Sequence, residues 1–446
     1  MKRSFTTIMV LRIVISISLA LIGSELSAQP VSRPTLEQCL SLAKQNSLKL
    51  QIAERELKIA SLSGSELQAS GRPQISAKAG AGYAPHSKNF GYDPAITDGG
   101  QLNGQLAVEQ SLYDGGVRRL KRAQLSIELD KLRAERQIAE HDLIADVTRR
   151  YIEVLRSARA FELQQESVNQ LQNYYDLVRS MNQGGAAGMG DVLRTQVDLS
   201  SARVALENVH NARLNASLAL ELATGLPSDT NLTVMGSLDT VLVNYGDTLT
   251  VAAVGFPLHS AELQRAKFDV QGSELEVAIA RGEHRPMIDL TADTGYLSSR
   301  DNLAVPAHER YDGIGFSAGL NATLSLFNGG ATRLRMQQAQ LATESLRFQQ
   351  QLLERALNNQ VQSLALQIRS TVQTLKTLRQ NIETAERNYL LVRSTYAGGG
   401  TTATEVLTAQ QLLRDAKVAE LEAVANILQL RTQLAQTTAA YTGTHL

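Results

Sequence analysis

The chain has no tryptophan, one cysteine and only 4% aromatic residues in 446 positions. Each scarcity excludes something. Cys39, alone, can form no internal disulfide, and a metal centre built on cysteines is ruled out. Cys39 also lies too far beyond the N-terminal apolar run to be a lipid-anchoring residue directly after a signal, and reads as a small buried helix residue. Large globular cores lean on aromatics, so their shortage, beside many Ala, Leu and Gln, points to helical rods. Charge of one sign is lacking too: 44 basic residues face 44 acidic ones, which leaves no basic surplus for a nucleic-acid partner. The seven histidines are scattered without metal-ligand spacing, and neither a Gly-x-Ser-x-Gly nor a phosphate-loop motif occurs. The composition describes a protein that is not an enzyme and takes no cofactor and no metal.

The N-terminus carries Lys2 and Arg3, an apolar run from Ile8 to Ile22, and small residues up to Ala28. That order predicts a signal peptide over 1–28, cleaved after Ala28. Arg12 and several serines interrupt the run, which is short for a membrane span.

The chain also repeats itself. Arg72-Pro73 returns as Arg285-Pro286, and Ile75–Tyr83 returns as Ile288–Tyr296, both 213 residues on. Leu112-Tyr113-Asp114-Gly115-Gly116 returns as Leu326-Phe327-Asn328-Gly329-Gly330, 214 residues on. A constant offset with a constant order of elements marks a duplicated structural unit. The units are expected over 29–225 and 258–446, with a connecting segment over 226–257. That segment, rich in Thr, Val, Gly and Asp, alternates briefly over Thr240–Val243 and reads as a small mixed belt.

Four stretches alternate with period two and predict strands over about 74–83, 101–112, 287–297 and 314–327. Ile75, Ala77, Ala79, Ala81 and Tyr83 share one face of the first. Leu102, Leu106, Val108 and Leu112 share one of the second. Ile288, Leu290, Ala292 and Tyr296 do so in the third, and Ile314 to Leu326, by alternate residues, in the fourth. Each is about ten residues long, enough to cross a bilayer as a tilted strand, and Tyr83, Tyr113, Tyr296 and Phe327 fall where aromatic girdles meet the lipid interface. Four strands cannot close, and open edges do not survive in lipid. Three chains would supply twelve strands and two would supply eight; the wider ring can conduct.

From 114 to 183 and from 329 to 397 apolar residues recur at three- and four-residue steps without proline, which predicts rods of about 100 Å at 1.5 Å per residue. Glycine-rich tips over 184–190 and 398–403 turn the chain into return helices over 191–224 and 404–441. Asp191 and Glu405 open those helices, where an acid suits the positive end of the helix dipole. Gly115-Gly116 and Gly329-Gly330 read as strand-to-helix turns.

In sum these residues resemble the TolC family of outer-membrane efflux and secretion channel proteins over nearly the whole chain past residue 28. The Arg-Pro pairs, the Leu-Phe-x-Gly-Gly-like turns and the stretch from Tyr396 through Gly399 to Glu405-Val406-Leu407 carry the likeness. The resemblance implies an α+β membrane protein. Its homotrimer would form a 12-stranded transmembrane barrel in outer membrane lipid, four strands per chain, continuing into a periplasmic α-helical tunnel. Partners would be a periplasmic adaptor (membrane fusion) protein and an inner-membrane transporter. The tips, with Gly185, Gly188, Asp191, Val192 and Leu193 in one copy and Tyr396, Gly399, Thr401, Glu405, Val406 and Leu407 in the other, would form the aperture and the docking surface. Family members often close the aperture with an arginine and a second acid; Thr401 and Thr408 stand there instead. A ring of three Glu405 side chains would still favour cations. Asn182 stands where the second copy has Tyr396. A secreted periplasmic coiled-coil adaptor or structural protein without a pore is the alternative, and a secreted pore-forming toxin is a third.

Overall fold

The computed structural model describes residues 33–84, 99–225, 233–244, 260–300 and 311–438. The expected signal peptide, both hairpin loops and most of the connecting segment lie outside those residues.

Two short helices lead in. Thr35 opens α1 (Leu36–Asn46) with a capping box: its side chain accepts from the Gln38 amide at 3.4 Å, and the Gln38 side chain accepts from the Thr35 amide at 3.0 Å. Ser47 then caps α2 (Leu48–Ala69). After β1 (Gln74–Ala84) and β2 (Gly99–Asp114) the chain enters α3 (Val117–Gln183) and returns through α4 (Met189–Thr224). A seven-residue helix, α5 (Leu238–Asn244), precedes α6 (Ala261–Gly282). Then come β3 (Met287–Arg300), β4 (Tyr311–Thr323), α7 (Ala331–Ala397) and α8 (Ala403–Thr438). Both long helices have 67 residues and both return helices have 36. At 1.5 Å per residue the long pair spans about 100 Å.

The rods hold together along apolar seams. Val147, Tyr151, Ile152 and Leu155 of α3 meet Val424, Ile427 and Leu428 of α8 and Leu220 of α4, with Cys39 of α1 fully enclosed among them. The three- and four-residue spacing of these positions places them on one face of each helix. Lys44 reaches Glu140 at 2.9 Å and ties α1 to α3. That ion pair holds the Glu140 carboxyl below its usual range. Burial pushes the Cys39 thiol up to about 11, so it stays an inert, protonated packing group.

Within the connecting segment the alternating stretch Thr240–Val243 is helical. Ser237 and Thr240 exchange hydrogen bonds that start the turn, at 3.0 Å from the Ser237 amide to the Thr240 hydroxyl. Leu238 and Val241, three apart, then drop onto the core. The fourth strand ends at Thr323 rather than 327, so Leu324 to Phe327 follow it as irregular chain. The third strand, conversely, runs on to Arg300.

Candidate functional site

The four strands form one antiparallel sheet in the order β1-β2-β3-β4, so β1 and β4 are both free edges. Pairing fixes the faces. Ile75 lies opposite Val108, Val108 opposite Ala292, and Ala292 opposite Ala318. Ala77, Leu106, Thr294 and Phe316 form the next row, and Ala81, Leu102 and Ser298 another. The same face carries Leu290 with Leu320 and Tyr296 with Ile314. The opposite face carries Lys78 with Gln105, Ser76 with Ala107, and Asp293 with Ser317. There the Ser317 hydroxyl donates to the Asp293 carboxylate, and the Asn321 amide to Thr291 at 3.3 Å.

The apolar face is bare. Ile75, Leu102, Leu106, Ile314, Phe316 and Leu320 are all exposed, Ile314 to 83%. Moving six such side chains out of water is worth on the order of 10 kcal/mol, at roughly 1.5–3 kcal/mol each. That matches the whole net stability of an ordinary domain, so this face requires an apolar cover. No helix among the described residues is long and apolar enough to cross a membrane; the sheet carries the apolar band.

A bulge refines the pattern. Ser111 pairs with Asp289 but Tyr113 pairs with Ile288, leaving Leu112 as the extra residue. Tyr113 thereby joins the apolar row of Ile288. Tyr83 pairs with Gly100 near one end of the sheet, and Tyr296 lies four residues, two pleats, further in, between Gly104 and Ile314. Phe327 is not a strand residue; it stands 88% exposed beyond β4.

The strand-to-helix turns need glycine. Gly115 and Gly116 have φ of 71° and 81°, and Gly329 and Gly330 have 67° and 84°. At Gly115 a side chain would also meet the Gly282 carbonyl at 2.9 Å. The Asp114 carboxylate accepts from the Gly116 amide at 3.2 Å and the Arg118 amide at 2.6 Å, which starts α3. Arg285 Nη1 donates to the Gly115 carbonyl at 3.1 Å, joining the second Arg-Pro pair to the first turn.

At the far end of the rods the two tips share one core. Tyr174 and Val178 of α3, Val192 of α4, Tyr389 and Tyr396 of α7, and Ala403, Val406, Ala409 and Leu413 of α8 form it. Gly185 and Gly399, with φ of 78° and 77°, close the long helices the same way: the next residue's amide returns to Met181 at 2.8 Å in one tip and to Thr395 at 2.9 Å in the other. Gly188 sits extended at the N-cap of α4, and Asp191 stands in its first turn. Val192 and Val406 are buried, Leu193 is exposed and Leu407 half-buried.

Tyr396, expected at the aperture, is only 5% exposed. Its ring packs on Tyr174 at 5.5 Å, tilted by 60°. Burial raises the pKa of both phenols, and the Asp191 charge adds to the rise. Glu405 is exposed; its carboxylate accepts the Thr401 hydroxyl, and its amide donates to Thr402 Oγ1 at 3.3 Å. Arg194 Nη1 donates to Thr404 Oγ1 at 3.0 Å, bridging the first tip to the second. Sequence reasoning missed Tyr174, Tyr389 and Arg194. Tyr389 and Tyr396 lie seven apart, a heptad spacing that marks a shared helix face and could have revealed the tip core.

A profile of outer membrane efflux proteins matches residues 39–226 and 258–440. The chain belongs to the outer membrane efflux protein family. Between the two matched stretches lies the connecting segment, which includes α5. The probable efflux pump outer membrane protein TtgC of Pseudomonas putida is 30% identical over 203 residues, 44% of this chain and 40% of that protein. The outer membrane protein TolC of Salmonella enteritidis is 23% identical over 294 residues, 63% of this chain and 57% of that one. The chain thus spans about half the length of the curated relatives it matches. In structure it is similar to the outer membrane protein VceC of Vibrio cholerae, with a TM-score of 0.73, 18% identity, and 90% of this chain and 95% of that one covered. The fold is that of the TolC-family channels.

Proposed function

We propose that this chain is the outer-membrane channel component of a tripartite efflux or type I secretion system. Three copies would close a 12-stranded barrel, with the apolar face toward lipid and the Lys78–Gln105 face toward a water-filled lumen. The long helices would extend that lumen through the periplasm as a tunnel, each chain supplying two repeats of hairpin plus rod pair. The tips would dock a periplasmic adaptor, which couples them to an energised inner-membrane transporter. Conduction is passive in this reading, because nothing at the tips resembles a site for chemistry.

The single observation that supports it most is the sheet. It has one bare apolar face, one polar face and two free edges, and it continues through glycine turns into rods of about 100 Å. A periplasmic adaptor or structural protein would have no use for such a face in water. The test is reconstitution. Detergent-extracted protein should have the mass of three chains and conduct ions in planar bilayers, with cation selectivity that falls in Glu405→Gln. A monomer that conducts, or a chain extractable without detergent, would sink the reading.

A further inference from the structure

The hairpins obey one rule. Every β1–β2 pair becomes a β3–β4 pair when 213 is added on the first strand and 214 on the second: Ile75 with Val108 becomes Ile288 with Ala322, and Gln74 with Glu109 becomes Met287 with Thr323. The seam between the hairpins has no such counterpart within the chain. There β2 pairs with β3, and β2 runs past its last β1 partner at Glu109. Gln110 pairs with Leu290, Ser111 with Asp289, Tyr113 with Ile288 and Asp114 with Met287. Those last residues of β2 are strand because β3 alone holds them. Their counterparts in the second copy are Leu324 to Asn328, the segment that follows β4 as irregular chain.

The turns differ in the same sense. Gly115 is covered by Arg285 and the Gly282 carbonyl, whereas the space around Gly329 and Gly330 is open. Tyr113 is 41% exposed against 88% for its counterpart Phe327. Arg72, the counterpart of Arg285, lies at the other edge of the sheet, before β1; both arginines are exposed.

Resting on the shared-barrel reading above, we infer that β1 of a second copy completes β4. Leu324 pairs with Ala77 of the second copy, Ser325 with Ser76, Phe327 with Ile75 and Asn328 with Gln74, with Leu326 as the bulged residue. Arg72 of the second copy donates to the Gly329 carbonyl, as Arg285 does to Gly115. The edge is therefore unfinished in one chain and ordered by assembly, and its register is set in advance by the β2–β3 seam.

Paired cysteines in a Cys39→Ala background test the register. Ala77→Cys with Leu324→Cys, and Ser76→Cys with Ser325→Cys, sample both faces, so one is the closer, non-hydrogen-bonded kind of pair. Mild oxidation should link chains through at least one of them, and not through Ala79→Cys with Leu324→Cys, which is two residues out of register. Trimers that link only through the slipped pair, or through none, would overturn the register while leaving the shared barrel standing. Chains that never associate would overturn the barrel itself. Hydrogen exchange on the unsubstituted protein needs no variant to fold: amides of 324–328 should exchange on the order of a hundredfold more slowly in the trimer than in dissociated chains. Equal exchange in both would refute the ordering. Arg72→Ala should lower the dissociation temperature of the trimer, and an unchanged value would remove the arginine from the seam.

Discussion

Tyr174 and Tyr396 meet ring against ring where the two helical tips join, with centroids 5.5 Å apart and planes tilted by 60°. One comes from each long helix, so this contact binds the tip of the first rod pair to that of the second. Replacing Tyr396 by Ala should open a cavity worth about 3 kcal/mol or more, by analogy with large aromatic truncations. Tyr396→Phe keeps the ring and should cost under about 1 kcal/mol. Limited proteolysis at 184–190 and 398–403 is the readout. Equal cleavage in both variants would remove the tyrosine pair from the account.

The same pair should make the tips sensitive to alkali. Burial holds the Tyr174 phenol far above its ordinary pKa, with Tyr396 and Asp191 adding to the rise. Tyr151, buried with its hydroxyl on the Met235 carbonyl, is pushed up to about 12. A raised folded value means full stability below the unfolded pKa of about 10, and loss as pH climbs past it. Thermal stability should therefore fall steadily above about pH 10. Tyr174→Phe should blunt that fall, as followed by circular dichroism beside tyrosinate absorbance. An identical alkaline slope in the variant would contradict the prediction.

Thr402 starts α8, and removing its side chain should fray the tip. Thr402→Ala deletes the acceptor for the Glu405 amide and should cost about 1 kcal/mol. Amide exchange at Thr404 and Glu405 should speed up while the belt around Val147 and Ile427 stays unchanged. Uniform protection across the variant would mean that the cap is idle.

Not all left-handed glycines are equal. Gly185→Ala meets only the backbone penalty of about 1–2 kcal/mol, since the space around it is open. Gly115→Ala adds an overlap with the Gly282 carbonyl and should lose above about 3 kcal/mol in all, because overpacking adds roughly 1–3 kcal/mol. Comparing urea midpoints would order the two, and the reverse order would refute the close approach at Gly115.

Much of this was legible in the sequence for identifiable reasons. The strand and rod periodicities survive because each element buries or bares one face, and the glycine pairs survive because their φ admits little else. The errors share a cause as well. Leu112 was placed in the apolar row by counting alternate residues, and a bulge, which shifts the count by one, moved Tyr113 there instead. Thr240–Val243 alternates, but its capping residues and its place over the core make it helical. The last residues expected of the fourth strand have the right pattern and lack only a neighbour to pair with. Tyr396 stands at the tip by its place in the motif; that its side chain there packs into a core depends on Tyr174, more than two hundred residues away.

The order of the sheet has a consequence for how copies come together. One chain has two free edges, β1 and β4. Two chains joined in a row still have two, as does any open row. Joining a second chain hides one pair of edges, whereas a third chain that closes the ring hides two pairs at once, so most of the gain from hiding edges arrives with the last chain. If the chains close a ring as proposed, assembly should be cooperative: pairs of chains should be short-lived traffic between monomer and ring, and a dominant-negative chain would need only one spoiled edge to leave every ring it enters unsealed.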